Sequence, residues 1–257
     1  MNNVECNDWR IAVKTTLVKE IPPAFLGGPP HKAGTPVYLT HFIKSKEYRY
    51  LGFITPSVVA MALNVAIRSS IAAFNIKKKL MYDDCFGPIG KFKNISKRTT
   101  AELFDFFENC MISVNFSFQA IEVFCNSIIS KDPNKLITIN KKDKNINKRA
   151  YEIERDLSTE EKIIDILPIL LNVSISKKDL LWQKFIDLKF VRDSTVHLKS
   201  SDMYSKFENS DKESLFYLFL KNNPFEYPRS SFEVIHFFNK VIDHSPWEEH
   251  ISELLKT

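Results

Sequence analysis

Leu180-Leu181-Trp182-Gln183-Lys184-Phe185-Ile186-Asp187-Leu188-Lys189-Phe190-Val191 is the stretch whose reading decides the fold. Its apolar residues recur near the 3.6-residue period of an amphipathic helix, and Ser176 stands just ahead of it as a start signal. The helix runs directly into Arg192-Asp193-Ser194-Thr195-Val196-His197. That segment sets a permanently charged guanidinium five positions before an imidazole. Arginine can grip a phosphate in a fork of N–H donors, and histidine can move a proton near neutral pH.

Working outward from this helix, every strong signal after about residue 98 is helical. Thr99 and Glu102 have capping-box spacing ahead of a long apolar pattern that reaches about Ser130, with a break or kink expected near Asn115. Ser158 and Glu161 repeat that spacing ahead of Ile163, Ile164, Ile166, Leu167, Leu170 and Leu171. Further helices are predicted over about 212–222, 231–243 and 246–255, the last opened by Ser245-Pro246-Trp247-Glu248 with Ser245 as cap. Asp132 to Arg149 is polar and Lys-rich and reads as an exposed loop.

The first part of the chain differs. Ile11 to Lys19 alternates partially, and Pro22 to Pro36 carries five prolines and three glycines, which demands irregular backbone. Val37 to Ile43 and Tyr48 to Ile54 read as a hairpin or two short strands around Lys44-Ser45-Lys46-Glu47. Residues 56–80 look helical, ending in three lysines that suit a helix C-terminus, and 81–97 reads as a connection. The division expected is an N-terminal α+β segment over 1–95 and an all-helical unit over 96–257.

Composition agrees with a mainly α fold. The chain has 257 residues, 44% hydrophobic and 26% charged, with 21 Phe and only 6 Gly. A net charge of +5 suits an anionic partner without naming one. Cys6, Cys85, Cys110 and Cys125 form no CxxC pair, which argues against a zinc ribbon and fits a reducing compartment. No signal peptide is visible, and the apolar run Ser57 to Ile76 contains Asn64 and Arg68, so a buried helix is expected there rather than a membrane span. The expected location is cytoplasmic. Gly27 to Thr35 lacks the Gly-Lys-Ser/Thr end of a phosphate loop, and its prolines remove N–H donors. Asp243, His244, Glu248, Glu249 and His250 read as an acidic, imidazole-bearing surface helix rather than as metal ligands. Neither a metal nor a cofactor is expected.

The Arg192–His197 segment resembles the signature of the HEPN superfamily (higher eukaryotes and prokaryotes nucleotide-binding). In that family an Arg is followed after four to six residues by His, often with a polar residue next to the Arg; here Asp193 fills that place. Ser117-Phe118-Gln119-Ala120-Ile121-Glu122-Val123-Phe124-Cys125-Asn126 resembles an earlier core helix of the family, and Ser158-Thr159-Glu160-Glu161-Lys162 the following helix start. The resemblance covers about residues 98–205. It implies a HEPN-like helical bundle carrying a small N-terminal segment with short β-strands. It also implies a metal-independent endoribonuclease that cuts single-stranded RNA by 2′-OH attack, as a homodimer with the site at the dimer cleft. A role as toxin or antiviral defence component follows, with an antitoxin or defence partner.

Within that expectation His197 moves protons, Arg192 binds the scissile phosphate, and Asp193 orients one of them. Five residues on an ideal helix are about 140° apart, so one chain does not place both side chains on a stripe. Asn115, Gln119, Glu122 and Asn126 form a polar stripe, of which Glu122 and Asn126 are candidates to line the cleft. Lys141, Lys142, Lys144, Lys148 and Arg149 are candidate contacts to RNA phosphates. Arg229 and His236 match the same signature at six-residue spacing, with His236 expected against Phe237 or Phe238; Asp193 and the preceding helices favour the first pair. Two other readings stand beside catalysis: a non-catalytic module of this type that binds RNA, nucleotide or a partner, and an unrelated helical scaffold.

Overall fold

The apolar stripe that begins at Leu180 does form a helix, and it docks onto a longer one. In the computed structural model, which describes residues 6–20, 32–87, 90–141, 144–198, 214–242, 245 and 247–256, Trp182, Phe185, Leu188, Val191 and Thr195 turn one face of Leu180–Val196 (α6) inward. Lys184 pairs with Glu233 and Lys189 reaches Glu160 at 2.9 Å, tying α6 down on both sides.

The remaining elements, in chain order, are short strand pairs alternating with helices. Strands Lys14–Thr16 (β1) and Pro36–Tyr38 (β2) pair antiparallel, as do Thr40–Ile43 (β3) and Leu51–Ile54 (β4). Helix Val58–Lys77 (α1) follows, then the hairpin Tyr82–Gly87 (β5) and Gly90–Ile95 (β6). Helix Thr100–Ile129 (α2) leads to the hairpin Ile137–Lys141 (β7) and Lys144–Lys148 (β8). Then come Ala150–Asp156 (α3), Thr159–Glu161 (α4), a π-helical stretch Lys162–Ile166 and Leu167–Leu171 (α5). After α6 the chain forms Leu215–Lys221 (α7), Glu226–Asn239 (α8) and Glu248–Leu254 (α9). The structure is 55% helical, and the sheets among the described residues are all two-stranded, which makes the fold mainly α.

Helix α2 is the axis of the core. Phe106, Cys110, Val114, Ile121 and Cys125 are fully buried because α1, α6 and α8 pack around it. Small polar residues sit at these helix contacts, and the hydroxyls of Ser70, Ser113 and Ser231 find partners. The Ser70 and Ser113 hydroxyls lie 2.7 Å apart, Ser70 donates to the Pro224 carbonyl, and Ser231 donates to the Ser117 carbonyl at 2.6 Å. Buried hydroxyls cost little when so paired. By length and composition α1 and the run 97–129 are each long and apolar enough to cross a membrane, and about half of the most apolar window in each is buried inside the protein.

Several expectations need correction. Helix α1 shares one core with α2, so the expected boundary at 95 cuts through continuous packing. Helix α2 runs unbroken through Asn115, whose side-chain amide donates back to the Met111 carbonyl instead of interrupting the helix. Thr99 makes no side-chain cap; its hydroxyl donates to the Ser96 carbonyl, while the Ser158–Glu161 capping box does form. Residues 82–87 and 90–95, expected as a connection, and 137–141 and 144–148, expected as an exposed loop, are antiparallel strand pairs. In the second, Ile137 and Ile139 are buried against Ile129, Ile153 and Ile166. At the end of α1, Lys77 donates to the carbonyls of Leu220 (2.5 Å) and Asn222, so its charge serves the C-terminus of α7 rather than that of its own helix.

All four cysteines are free. Burial pushes the Cys125 thiol up to about 12, a little offset by nearby Lys162, and burial likewise raises Cys110 to about 12. Thiolate-specific reagents at pH 8 are therefore expected to modify Cys6 and Cys85 in the native protein and to reach Cys110 and Cys125 only after unfolding. The sign of the linked pH effect follows. Above about pH 9 the unfolded thiols ionise while the folded ones stay protonated, so stability falls as pH rises towards 12. Urea midpoints measured between pH 8 and 10.5 check this against a Cys110→Ala, Cys125→Ala variant with a flatter expected profile.

Candidate functional site

The last turn of α6 carries the signature residues, and its position is fixed from two sides. Thr195 is buried; its hydroxyl donates to the Arg192 carbonyl at 2.7 Å and accepts the Asn115 amide at 3.1 Å. That contact joins the end of α6 to the middle of α2. Arg192 lies beside it, with its guanidinium carbon 3.9 Å from the centroid of the Phe118 ring and one terminal nitrogen 3.0 Å from Asp193. The Phe118 ring stacks on Phe185, which meets Trp182, so the guanidinium rests on the end of a row of core rings. Its Nε is buried and has no hydrogen-bond partner among the described residues.

His197 ends the helix. Its backbone N–H still donates to the Asp193 carbonyl at 2.9 Å, while its imidazole is exposed and has no side-chain partner among the described residues. Arg192 and Asp193 are therefore brought together, whereas His197 leaves the helix about 140° round from Arg192. Phe190, Val196 and Leu198 beside the signature are 59%, 53% and 49% exposed, an apolar surround that nothing in this chain covers among the described residues. Phe190 and His197, seven residues apart, share a stripe.

Two members of the polar stripe of α2 are bonded to residues of other helices, while Gln119 is exposed. Asn115 holds Thr195, and Asn126 accepts a 2.9 Å hydrogen bond from Lys162. Lys162 is 1% exposed, and its ammonium also donates to the Glu154 carbonyl. Asn126 is thus committed to a buried lysine, and Glu122 sits half-buried one turn before it. Lys162 was readable only as part of a helix start, because its burial depends on the π-helical turn it opens. Of the candidate phosphate contacts, Lys148 is bound to Asp156 at 2.5 Å, and the backbone of Arg149 is the N-cap of α3. Lys142 and the side chains of Lys141 and Lys144 lie outside the described residues.

The second signature pair is built differently. Arg229 pairs with Glu226 at 3.2 Å and donates to the Leu255 carbonyl, which anchors α8 to the C-terminal turn. His236, expected against Phe237 or Phe238, stacks on Phe232, and its Nδ1 is hydrogen-bonded to Glu248. Glu248 is 7% exposed and its other oxygen accepts the Asn239 amide at 2.7 Å. Glu248 is therefore an interior residue, contrary to the expected surface helix, and it does not close a capping box on Ser245. His250 stacks on Trp9, while Asp243 and His244 lie outside the described residues.

His236, Lys240 and Lys256 line a cleft of about 570 Å³ beside this network. An imidazole held at Nδ1 by a buried carboxylate keeps Nε2 for proton transfer. Nothing in the sequence linked His236 to a carboxylate twelve residues on, across a turn. Glu248→Ala is expected to cost about 2–3 kcal/mol in urea unfolding, because it strips two partners from one buried carboxylate site.

No protein-family model, no curated protein and no solved structure matches this chain, so the arrangement of its own residues carries the functional reading.

Proposed function

We propose that the protein is a HEPN-type, metal-independent endoribonuclease acting on single-stranded RNA, with Arg192 and His197 at its catalytic centre. One observation carries this reading. A guanidinium anchored on an aromatic ring stands one turn before an exposed imidazole that has no side-chain partner among the described residues, at a helix end locked by Thr195 and Asn115. Arginine so fixed can hold a phosphate whose charge grows in the transition state.

RNA supplies its own nucleophile. The 2′-oxygen attacks phosphorus, the 5′-oxygen leaves, and a 2′,3′-cyclic phosphate remains. One imidazole takes the 2′-OH proton and another gives a proton to the leaving oxygen. The divergence of Arg192 and His197 within one chain, together with the exposed Phe190, Val196 and Leu198, supports a site completed by a second copy. Toxicity to the host or action in antiviral defence, restrained by an antitoxin partner, would be a natural use of such an activity.

A second reading is favoured by the His236–Glu248 pair, whose imidazole is the better oriented of the two. One experiment separates them: labelled single-stranded RNA is incubated with the purified full chain in EDTA, beside His197→Ala, Arg192→Ala and His236→Ala. Loss of cleavage in the first two with cleavage kept in the third is the expected result. Loss in His236→Ala alone would move the site to the C-terminal cleft. Cleavage by all four proteins would end the proposal.

A further inference from the structure

The hairpin of β3 and β4 projects a set of rings that the core does not use. Its root is fixed to the β1–β2 pair through the Leu39 N–H on Val13 and the Thr55 N–H on Leu39. Beyond that root every residue from His41 to Phe53 except Ser45 is exposed. Phe42 is 66% exposed although it is a large apolar ring in the middle of a strand.

The reason lies across the ladder. Phe42 pairs with Gly52, and a Cβ on Gly52 would come within 2.6 Å of the Phe42 ring. The missing side chain lets the ring lie against the partner strand, so that it offers a face to solvent. Tyr48 and Tyr50 follow in the connecting loop at 55% and 56% exposure. The Ser45 hydroxyl shapes that loop by accepting the N–H groups of Glu47 and Tyr48.

Charge is interleaved with these rings. Lys44, Lys46 and Arg49 are exposed, and Glu47 is the single acid between Val37 and Pro56. The Arg49 guanidinium lies 5.9 Å from the Tyr50 ring. Flat rings with cations between them are what an unpaired nucleic-acid strand needs: a π-face for each base and a positive charge for each phosphate. A duplex hides its base faces, and an acidic protein would satisfy the lysines but leave the rings unused.

We infer that the β3–β4 hairpin is a binding arm for single-stranded RNA, with Phe42, Tyr48 and Tyr50 stacking bases and Lys44, Lys46 and Arg49 holding phosphates. The inference rests on the ribonuclease reading for the choice of RNA, and adds a surface that would hold the strand.

The test measures binding without cleavage. The full chain is titrated into a fluorescein-labelled 2′-O-methyl oligouridine about 12 nucleotides long, whose blocked 2′-oxygen prevents cutting. Phe42→Ala with Tyr50→Ala is expected to weaken binding at least tenfold, Phe42→Trp to keep it, and Phe42→Leu to lose it as alanine does. Lys44→Ala with Lys46→Ala should reduce the slope of log affinity against log salt by about 1.4, two phosphates at about 0.7 each.

Unchanged melting temperatures are expected, since these side chains stand outside the core. Full binding by Phe42→Leu would make the surface an apolar docking site and overturn the inference. Equal binding by all variants would also overturn it, as would hairpin-dependent binding to phosphatidylserine vesicles in place of the oligonucleotide. Failure here leaves the dependence of cleavage on His197 intact, and loss of that dependence leaves this binding result intact.

Discussion

Alanine at His197 is expected to lower RNA cleavage roughly 100- to 10,000-fold, the usual contribution of a proton-transfer group. The same change should leave the melting temperature where it was. The imidazole is exposed and partnerless among the described residues, so no buried group loses a contact when it is removed. Arg192→Ala should cost cleavage roughly 100- to 1,000-fold, by analogy with the loss of one charge-stabilising donor. It differs from His197→Ala in also weakening the fold. Its guanidinium stacks on Phe118 and pairs with half-exposed Asp193, and the ring contact is worth about 1 kcal/mol.

That split between activity and stability makes the pair diagnostic. A structural arginine and an idle histidine would show the stability loss without the activity loss. Mixing Arg192→Ala with His197→Ala subunits adds a test of assembly. Recovery of part of the activity is expected if arginine of one copy works with histidine of the other. Arg192→Lys should recover little, because a lysine lacks both the planar stack and the fork of donors.

Much of the helical frame is legible in the sequence. The period of Leu180 to Val191, the cap at Ser158 and the apolar run in α1 all follow from local rules, and each formed as those rules require. The hairpins of β5–β6 and β7–β8 were not legible, for different reasons. Strands β5 and β6 bury almost nothing, so alternation has no face to mark. In β7 the alternation of Ile137, Thr138 and Ile139 is genuine but sits beside a lysine-rich run of sequence that dominates composition.

The site divides in the same way. The candidate pair Arg192 and His197 follows from spacing, because Arg192 lies in α6 and His197 caps its end. The Phe118 platform, the Asn115–Thr195 lock and the Glu248–His236 pair each join residues far apart in the chain, and only packing reveals them. Lys162 inverts the usual rule that lysine marks a surface.

Phe118 is where core and site meet, and two substitutions there should separate its roles. Its ring is 3% exposed, stacks on Phe185 with centroids 6.0 Å apart, and also carries the Arg192 guanidinium, 3.9 Å from its centroid. Phe118→Ala opens a cavity between α2 and α6 and is expected to cost about 3–5 kcal/mol in urea unfolding. Much of the protein's stability would go with it, so activity measured on that variant would be hard to interpret.

Phe118→Leu is the cleaner probe. It keeps most of the apolar volume, at an expected cost below about 1.5 kcal/mol, but removes the ring face under the guanidinium. If that face positions Arg192 for phosphate, losing about 1 kcal/mol of it should lower kcat/KM about fivefold. His197→Ala in the same background should remain as damaging as in the wild type. A Phe118→Leu protein that folds and cuts at the wild-type rate would mean that Arg192 gains nothing from its seat on the core. The row of rings from Trp182 to Phe118 would then serve packing alone.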